Sequence, residues 1–393
     1  MPSGDVGCAF ELVLYRCSVT LVDLSDADAD CGSKAHALGR LIRAGARVPA
    51  GFVVRGEPAG QAFARAVELL NGPLAVRSSS MLEDSDIASF AGQLETILGV
   101  VGVDEVAAAV ARCSASAQTA HARAYATRVG VTPESRIPVI VQRLVPAHIA
   151  GVAFTRDPRS GAEVVVIEGA WGLGESVVAG RVVPDICTVT TGGTIEMSVG
   201  SKATRLDRHD GVVRRTAVAT ADRRRPCLTS EQAAQIAAAA RQAEATFDAP
   251  VDIEWAIADD TLWLLQARPI TTTFARQESR SDIPDEAVLA RGIGASPGRA
   301  SGAVRVVRDL GGFGLVEPGD VLVCRTTDPA WTALFGIVAA VVTETGGLLS
   351  HAAIVARELG IPAVVGVPGA MSHLLDSGHV AVDGARGIVL GTT

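Results

Sequence analysis

Residues 343–357 read Thr343-Glu-Thr-Gly-Gly-Leu-Leu-Ser-His351-Ala-Ala-Ile-Val-Ala-Arg357. An apolar β run, Val338–Thr343, enters a Gly346-Gly347 turn, and a helix is predicted to leave it near Ser350. His351 then sits in the first helical turn, beside backbone N–H groups that have no partner within the helix. Those groups and the helix dipole favour an anion, and a phosphorylated imidazole is one. The glycines let backbone approach closely. An isolated histidine here would read as a helix-terminal polar residue. The pattern around it has to decide.

Outward from this stretch, residues 291–393 are rich in Gly and Val, with further short β runs at Ser301–Val307, Val321–Arg325 and Val380–Asp383. Upstream, residues 273–290 are mostly polar, with Arg276, Glu278, Arg280, Asp282, Pro284 and Asp285 interspersed, and read as a linker. Residues 1–272 mix both kinds of element. Helices are predicted over 33–48 (with Gly45 ending the apolar pattern), 104–126 (with Asp104 as cap) and Ser230–Phe247, and strands over Ile137–Gln142, Gly151–Thr155 and Glu163–Glu168. Val251–Ala256 and Thr261–Gln266 flank Asp259-Asp260 as a hairpin. Helix and strand do not alternate strictly, so the class is α+β (α/β mixed) rather than a doubly wound sheet.

Composition narrows the function. The 393 residues leave room for two or three domains. With 48% hydrophobic and 20% charged residues, a large core is expected rather than disorder. The net charge of −8 disfavours a nucleic-acid partner, and Arg223-Arg224-Arg225 reads as a solvated turn. No apolar run is long enough for a membrane span, and Met1 to Gly7 lacks a signal-peptide pattern. Seven scattered cysteines without a C-x-x-C pair fit reduced thiols in a cytoplasm. There is no P-loop, and Gly172-Leu-Gly174 and Gly292-Ile-Gly294 lack the third glycine of a dinucleotide fingerprint.

The stretch around His351 resembles the phosphohistidine domain of the phosphoenolpyruvate-utilising enzymes, which include phosphoenolpyruvate synthase, pyruvate phosphate dikinase and rifampin phosphotransferase. Pro318-Gly-Asp-Val-Leu-Val and Thr327-Asp-Pro-Ala-Trp-Thr-Ala-Leu-Phe335 look most like the rifampin-type version, and Gly360-Ile-Pro-Ala-Val-Val-Gly366 fits all of them. The N-terminal part resembles the ATP-grasp domain of the same group. Its blocks are Gly32-Ser-Lys34 and Val48-Pro-Ala-Gly-Phe52, then Val76-Arg77-Ser-Ser-Ser, Glu83-Asp84 and Ser89-Phe-Ala-Gly-Gln93. Val141-Gln-Arg-Leu-Val145, Gly151-Val-Ala-Phe-Thr-Arg-Asp-Pro158, Trp171-Gly-Leu-Gly-Glu175, Asp252-Ile-Glu-Trp255 and Leu265-Gln-Ala-Arg-Pro269 follow in the family's order.

The resemblance implies an ATP-grasp domain over 1–272 and a small swivelling β/β/α phosphohistidine domain over 291–393. It implies a dikinase-type phosphotransferase: ATP charges His351, AMP and phosphate leave, and the phosphoryl group passes to a small-molecule acceptor, expected to carry a hydroxyl. Such a relay splits one transfer into two. Lys34, Arg77 and Arg268 would meet the triphosphate, with Arg77 and Arg268 also counted as catalytic beside His351. Gly92 and Gln93 lie in a short loop suited to cover phosphates with backbone N–H groups. Gln142 and Val145 match the adenine-contacting connection. Glu254 and Gln266, on the two arms of the hairpin, offer oxygens to Mg²⁺. Thr343, Gly346, Gly347 and Ser350 form the phosphohistidine loop. Trp171–Glu175 and Phe154–Pro158 read as structural turns lining the site. Taken singly, Arg77 reads equally as a surface ion pair and Glu254 as the exposed side of a strand.

Four departures stand out. Gly32-Ser33-Lys34 replaces Gly-Gly-Lys, the segment between Val54 and Leu74 is short, Ala333 replaces a proline, and the two units are expected to work without the family's acceptor-binding domain beside them. The acceptor is therefore expected between the two domains, on the trimmed face, or on a separate acceptor-binding chain as in phenylphosphate synthase. A linker of about 20 residues reaches roughly 65 Å when extended, enough for a swivel. Two other functions remain open: an ATP-sensing interaction protein, against which the full set of charged residues counts, and a carboxylate–amine ligase, which has no use for His351. The Ala, Arg, Val and Gly content hints at a GC-rich bacterial source, and so at antibiotic modification or specialised metabolism.

Overall fold

The structure is a computed structural model and describes residues 19–81, 95–118, 136–209, 211–270 and 288–392. The chain first builds an antiparallel sheet from β1 (Val19–Asp23), β2 (Gly51–Gly56), β3 (Leu74–Ser78), β4 (Thr96–Val100) and β5 (Val139–Arg143), in the order β1-β2-β5-β3-β4. Helices α1 (Ser33–Arg43), α2 (Gln61–Leu70) and α3 (Val103–Ala115) belong to this part. Phe63, Val67, Val106 and Val110 of α2 and α3 pack on Val76 and Val141 of the sheet.

Two helix boundaries differ from expectation. α1 stops at Arg43 rather than near residue 48, because Gly45 takes a left-handed φ of 83°. Gly45 N–H then donates to Ile42 and Ala46 N–H to Leu41, which closes the last turn. α3 ends at Ala115, followed by a single 3₁₀ turn to Gln118, and residues 119–126 lie outside the described residues. Its N-cap is Gly102; Asp104 sits inside the first turn, where its charge meets the dipole but caps nothing.

A second antiparallel sheet runs β13-β12-β6-β7-β8-β9, from β6 (Ile149–Phe154), β7 (Val165–Trp171), β8 (Asp185–Val189), β9 (Ile195–Ser198), β12 (Val251–Ala258) and β13 (Thr261–Pro269). The ribbon β10 (Thr204–His209) and β11 (Val212–Ala217) stands beside it. Asp259 and Asp260 both have positive φ, the geometry that a tight β12–β13 turn needs. Helix α4 (Ser230–Phe247) starts at a capping box of Thr229 and Gln232. Its Ala233, Ile236, Ala237, Ala240 and Ala243 recur at helical spacing and bury against Ile167, Ile253 and Trp255 of the sheet.

The C-terminal unit is an eight-stranded mixed sheet, β14-β21-β20-β16-β17-β18-β19-β15. Its strands are β14 (Val288–Arg291), β15 (Ile293–Ser296), β16 (Arg299–Val306), β17 (Val321–Cys324), β18 (Ala340–Thr343), β19 (Ala363–Val365), β20 (His379–Asp383) and β21 (Ile388–Gly391). Helix α5 (His351–Leu359) packs against β15 and β19. β14 corrects the expected linker end: residues 288–290 pair with β21 and so belong to the sheet. Residues 271–287 lie outside the described residues. No helix of the described residues is long and apolar enough to cross a membrane. Five cysteines, at positions 31, 113, 187, 227 and 324, are unbonded and buried, and burial pushes the Cys113 and Cys324 thiols up to about 12.

One buried ion pair escaped the sequence. Lys202 is wholly inaccessible and donates to Asp185 and to the Gly200 carbonyl. Asp185 also accepts from Gly200 N–H at 2.8 Å and Cys227 N–H at 2.7 Å, tying β8 to the start of α4. Removing one partner leaves the other charge buried alone. Lys202→Met is therefore expected to destabilise the N-terminal part by about 3–5 kcal/mol. Urea unfolding followed by circular dichroism checks this; a loss below about 1 kcal/mol would show that the pair is dispensable.

Candidate functional site

The pleat of the second sheet positions the candidate site. Directly opposed residues on antiparallel strands share a face. Glu168 opposes Val152, Val152 opposes Glu254, and Glu254 opposes Gln266. The next row runs Val166, Phe154, Asp252 and Arg268. Because Ile167, Ala153, Ile253 and Ala267 fill the opposite face under α1 and α4, these two rows look into the cleft between the two sheets.

Arg77 reaches into this cleft from β3. Its guanidinium donates to Glu254 at 3.0 Å and to the Leu265 carbonyl at 2.7 Å. Of the two readings left open, the ion pair is the one present, but it is largely buried rather than superficial. Arg268 grips Asp252 through Nε at 2.8 and 3.0 Å. Lys34 lies at the start of α1, against the end of β3. Ser33 N–H donates to the Ser80 carbonyl and Ala35 N–H to Ser79 Oγ. Gly32 makes that approach possible, since a Cβ there would overlap the Ser79 backbone.

Gln266 is buried, and among the described residues neither its Oε1 nor its Nε2 has a hydrogen-bond partner. A buried orphan amide is costly unless something else completes it. Beside it stands the Glu254 carboxylate, across one ladder step. The Glu254 carboxylate and Gln266 Oε1 are oxygen ligands at a cleft, which fits Mg²⁺ taking few protein ligands and the rest from phosphates and water, with Gln266 Nε2 left to donate to a phosphate oxygen. Gln142 and Val145 lie at the end of β5 and just after it. Gln142 donates to the Pro49 carbonyl, and Val145 is buried with Leu98, Leu173 and Leu206. Gly92 and Gln93 lie outside the described residues.

His351 opens α5, with Ser350 as N-cap. Its Nδ1 lies 2.8 Å from Thr327 Oγ1 and its Nε2 3.3 Å from Thr332 Oγ1, and Phe335 meets the ring edge-on. All three lie in the Thr327–Phe335 stretch, where residue type and spacing point to no contact with the ring; only the tertiary structure brings them to it. The loop residues brace the turn. Thr343 Oγ1 donates to the Thr345 carbonyl, and Ser350 Oγ to that of Gly347. Gly346, at φ 116°, donates its N–H across to the Val182 carbonyl.

The loop just before the Ser350 cap is bound by a carboxylate of the second sheet. Glu168 is fully buried and accepts Leu348 N–H at 2.6 Å and Leu349 N–H at 3.4 Å. Burial pushes its carboxyl up to about 7, against the pull of those N–H groups and of Arg357 and Arg159. Leu348 and Leu349 are buried beside Val152, Phe154, Val166 and Val182. Thr345 and Thr326 hydroxyls donate to the Gly180 carbonyl. The histidine-bearing unit is thus docked on the same sheet face that carries Glu254 and Gln266. Along the seam lies a cleft of about 530 Å³, onto which Arg181, Arg308 and Arg325 converge, with Glu344, Ser201 and Ser372 also in its wall.

The same two units emerge from comparison with known proteins. Residues 57–287 match the family described as pyruvate phosphate dikinase, AMP/ATP-binding domain, and residues 316–387 match the PEP-utilising enzyme, mobile domain. The chain belongs to the phosphoenolpyruvate-utilising enzyme family. It is 39% identical over 319 residues to the probable phosphoenolpyruvate synthase of Methanothermobacter thermautotrophicus, a match that covers 80% of this chain and 46% of that protein. The phosphoenolpyruvate synthase of Escherichia coli is 38% identical over 342 residues, covering 81% of this chain and 43% of the relative. The chain therefore spans less than half the length of these curated relatives. Among solved structures, a D-alanine–D-alanine ligase from Bacillus anthracis aligns over 63% of this chain and 59% of its own, at 10% identity and a TM-score of 0.31, too low to bear on the fold.

Gln266→Leu removes an orphan amide at nearly constant volume. We expect its stability to stay within about 0.5 kcal/mol of wild type or to rise, while MgATP affinity falls about tenfold, about 1.4 kcal/mol. Titration calorimetry beside thermal unfolding checks both; unchanged affinity would remove Gln266 from the nucleotide site.

Proposed function

We propose that this chain phosphorylates its own His351 from ATP and passes the phosphoryl group to a hydroxyl-bearing small molecule. The observation that carries this is the docking of the His351 loop on the sheet face that holds Glu254, Gln266 and Arg268. In this reading the ring proton sits on Nδ1, donated to Thr327 Oγ1, and the Nε2 lone pair is the nucleophile once it leaves Thr332 Oγ1. Nε2 attacks the β-phosphorus of ATP, the bond from that phosphorus to the α–β bridging oxygen breaks, and AMP leaves. Water then cleaves the γ-phosphate, and the β-phosphoryl group stays on Nε2. An acceptor hydroxyl takes it, giving up its proton to solvent and regenerating the imidazole.

Arg77 gives up its hold on Glu254 to meet phosphate oxygens, and Arg268 and Lys34 offset the remaining charge. Glu254 and Gln266 would hold Mg²⁺, which supplies charge neutralisation at the phosphates. The acceptor is best accommodated in the seam cleft, where Arg181, Arg308 and Arg325 favour a molecule with an anionic group besides its hydroxyl. A second reading keeps the charging step and places the acceptor on another chain. It is supported by the curated synthases, more than half of whose length lies outside the matched part.

Incubation with ATP labelled at the β or the γ position tests the charging step. Acid-labile β label on the wild type and none on His351→Ala is the expected result; a γ label indicates a single-phosphoryl kinase instead, and no label on the wild type rejects the relay. For the acceptor, AMP formation should rise with an anionic hydroxylated compound. Arg325→Ala should then raise its KM at least about tenfold, about 1.4 kcal/mol, with a smaller change in kcat. An unaltered KM would move the acceptor out of the cleft.

A further inference from the structure

We infer that Glu168 is the positioning residue that docks the His351 loop beside the nucleotide residues. Two hydrogen bonds from the His351 loop make Glu168 more than a neighbour. Its carboxylate takes the N–H groups of Leu348 and Leu349, while Arg357 of α5 takes the Leu348 carbonyl at 2.7 Å. The Leu348 peptide is held from both sides, three residues before His351. A Cβ at Gly347 would meet Glu168 Oε1 at 2.4 Å, so a side chain there would have to push the carboxylate aside. The register then sets the placement. Glu168 is two strands from Glu254 in one row, about 10 Å at the usual strand spacing.

A structural carboxylate that only filled the core would not be chosen here, since a leucine would bury at lower cost. What Glu168 adds is direction and reversibility. Its acceptors face the one loop that carries the phosphorylated residue, and the surface it seals must part if His351 is to visit an acceptor elsewhere. The charged groups that face it are Arg357 from α5 and Arg159 from the turn after β6; Arg159 is held by Asp157 at 2.6 and 2.9 Å. Asp252 and Arg268 lie behind Arg357.

Docking is therefore linked to protons. The carboxyl is raised to about 7 when docked and returns to the ordinary glutamate range, about 4.3, when the loop leaves. The docked state binds the extra proton. Docking is tightest at low pH and loosens as pH rises towards and through 7, by at least about tenfold between pH 5 and 8.

This inference rests on the phosphohistidine function for its catalytic readout, so the test has an arm that does not. Hydrogen exchange, corrected for intrinsic rates, is measured on the segment spanning residues 345–354 and on α4 as control. Glu168→Ala should raise exchange at 345–354 by at least about tenfold with α4 unchanged. It should slow β labelling of His351 at least about tenfold, with the MgATP Kd within about twofold of wild type. Glu168→Gln keeps an acceptor for Leu348 N–H; it should label at close to the wild-type rate and lose the pH dependence of protection. Wild-type exchange and labelling in Glu168→Ala would overturn the inference. So would equal damage in Glu168→Gln, or loss of MgATP binding in step with labelling. If the wild type takes no label yet Glu168→Ala still opens 345–354, the docking role stands and the phosphotransfer function fails.

Discussion

A pleated strand sends alternate side chains to opposite faces, and in β6, β7, β12 and β13 this period separates two incompatible environments. Ile167, Ala153, Ile253 and Trp255 must be dry, because α4 lies on them. Glu168, Glu254, Gln266 and Arg268 then fall on the other face, and nothing else in the molecule needs to place them. A slip of one residue in any of these strands would send its polar residues into the core and its core residues into the cleft. Packing of the alanine-rich helix and assembly of the site are the same constraint seen from two sides.

That arrangement also explains why a carboxylate can sit fully buried at the seam. Glu168 is desolvated by the docked unit, and the desolvation is offset by two N–H groups and two guanidiniums at a distance. Lys202 and Asp185 show the same accounting in a region with no evident chemistry: both are buried, each has further hydrogen bonds, and the pair stitches a strand to a helix start. Buried charge by itself therefore does not mark function here. Glu168 differs because its partners come from a separate sheet, so its hydrogen bonds exist only while the two units touch.

Local patterns made much of the fold readable. The span of α4, the β12–β13 hairpin around Asp259-Asp260 and the start of α5 at Ser350 all follow from periodicity, capping and turn chemistry, which act over a few residues. Boundaries governed by other forces were less readable. Gly45 marked the end of the α1 pattern in the sequence, though the exact stop at Arg43 did not show there, and β14 formed because a distant strand, β21, offered hydrogen bonds to residues whose polar flank looked like linker.

The order of motif blocks, from Lys34 to His351, was sufficient to establish the family and the chemistry its residue types allow, because charge, glycine content and spacing are properties of the chain itself. What holds the His351 loop was not established that way. A carboxylate 180 positions upstream takes the Leu348 N–H, and Thr327 and Thr332 meet the imidazole. Separations of that size leave no trace in local pattern. They are set only when register and docking bring two sheets face to face.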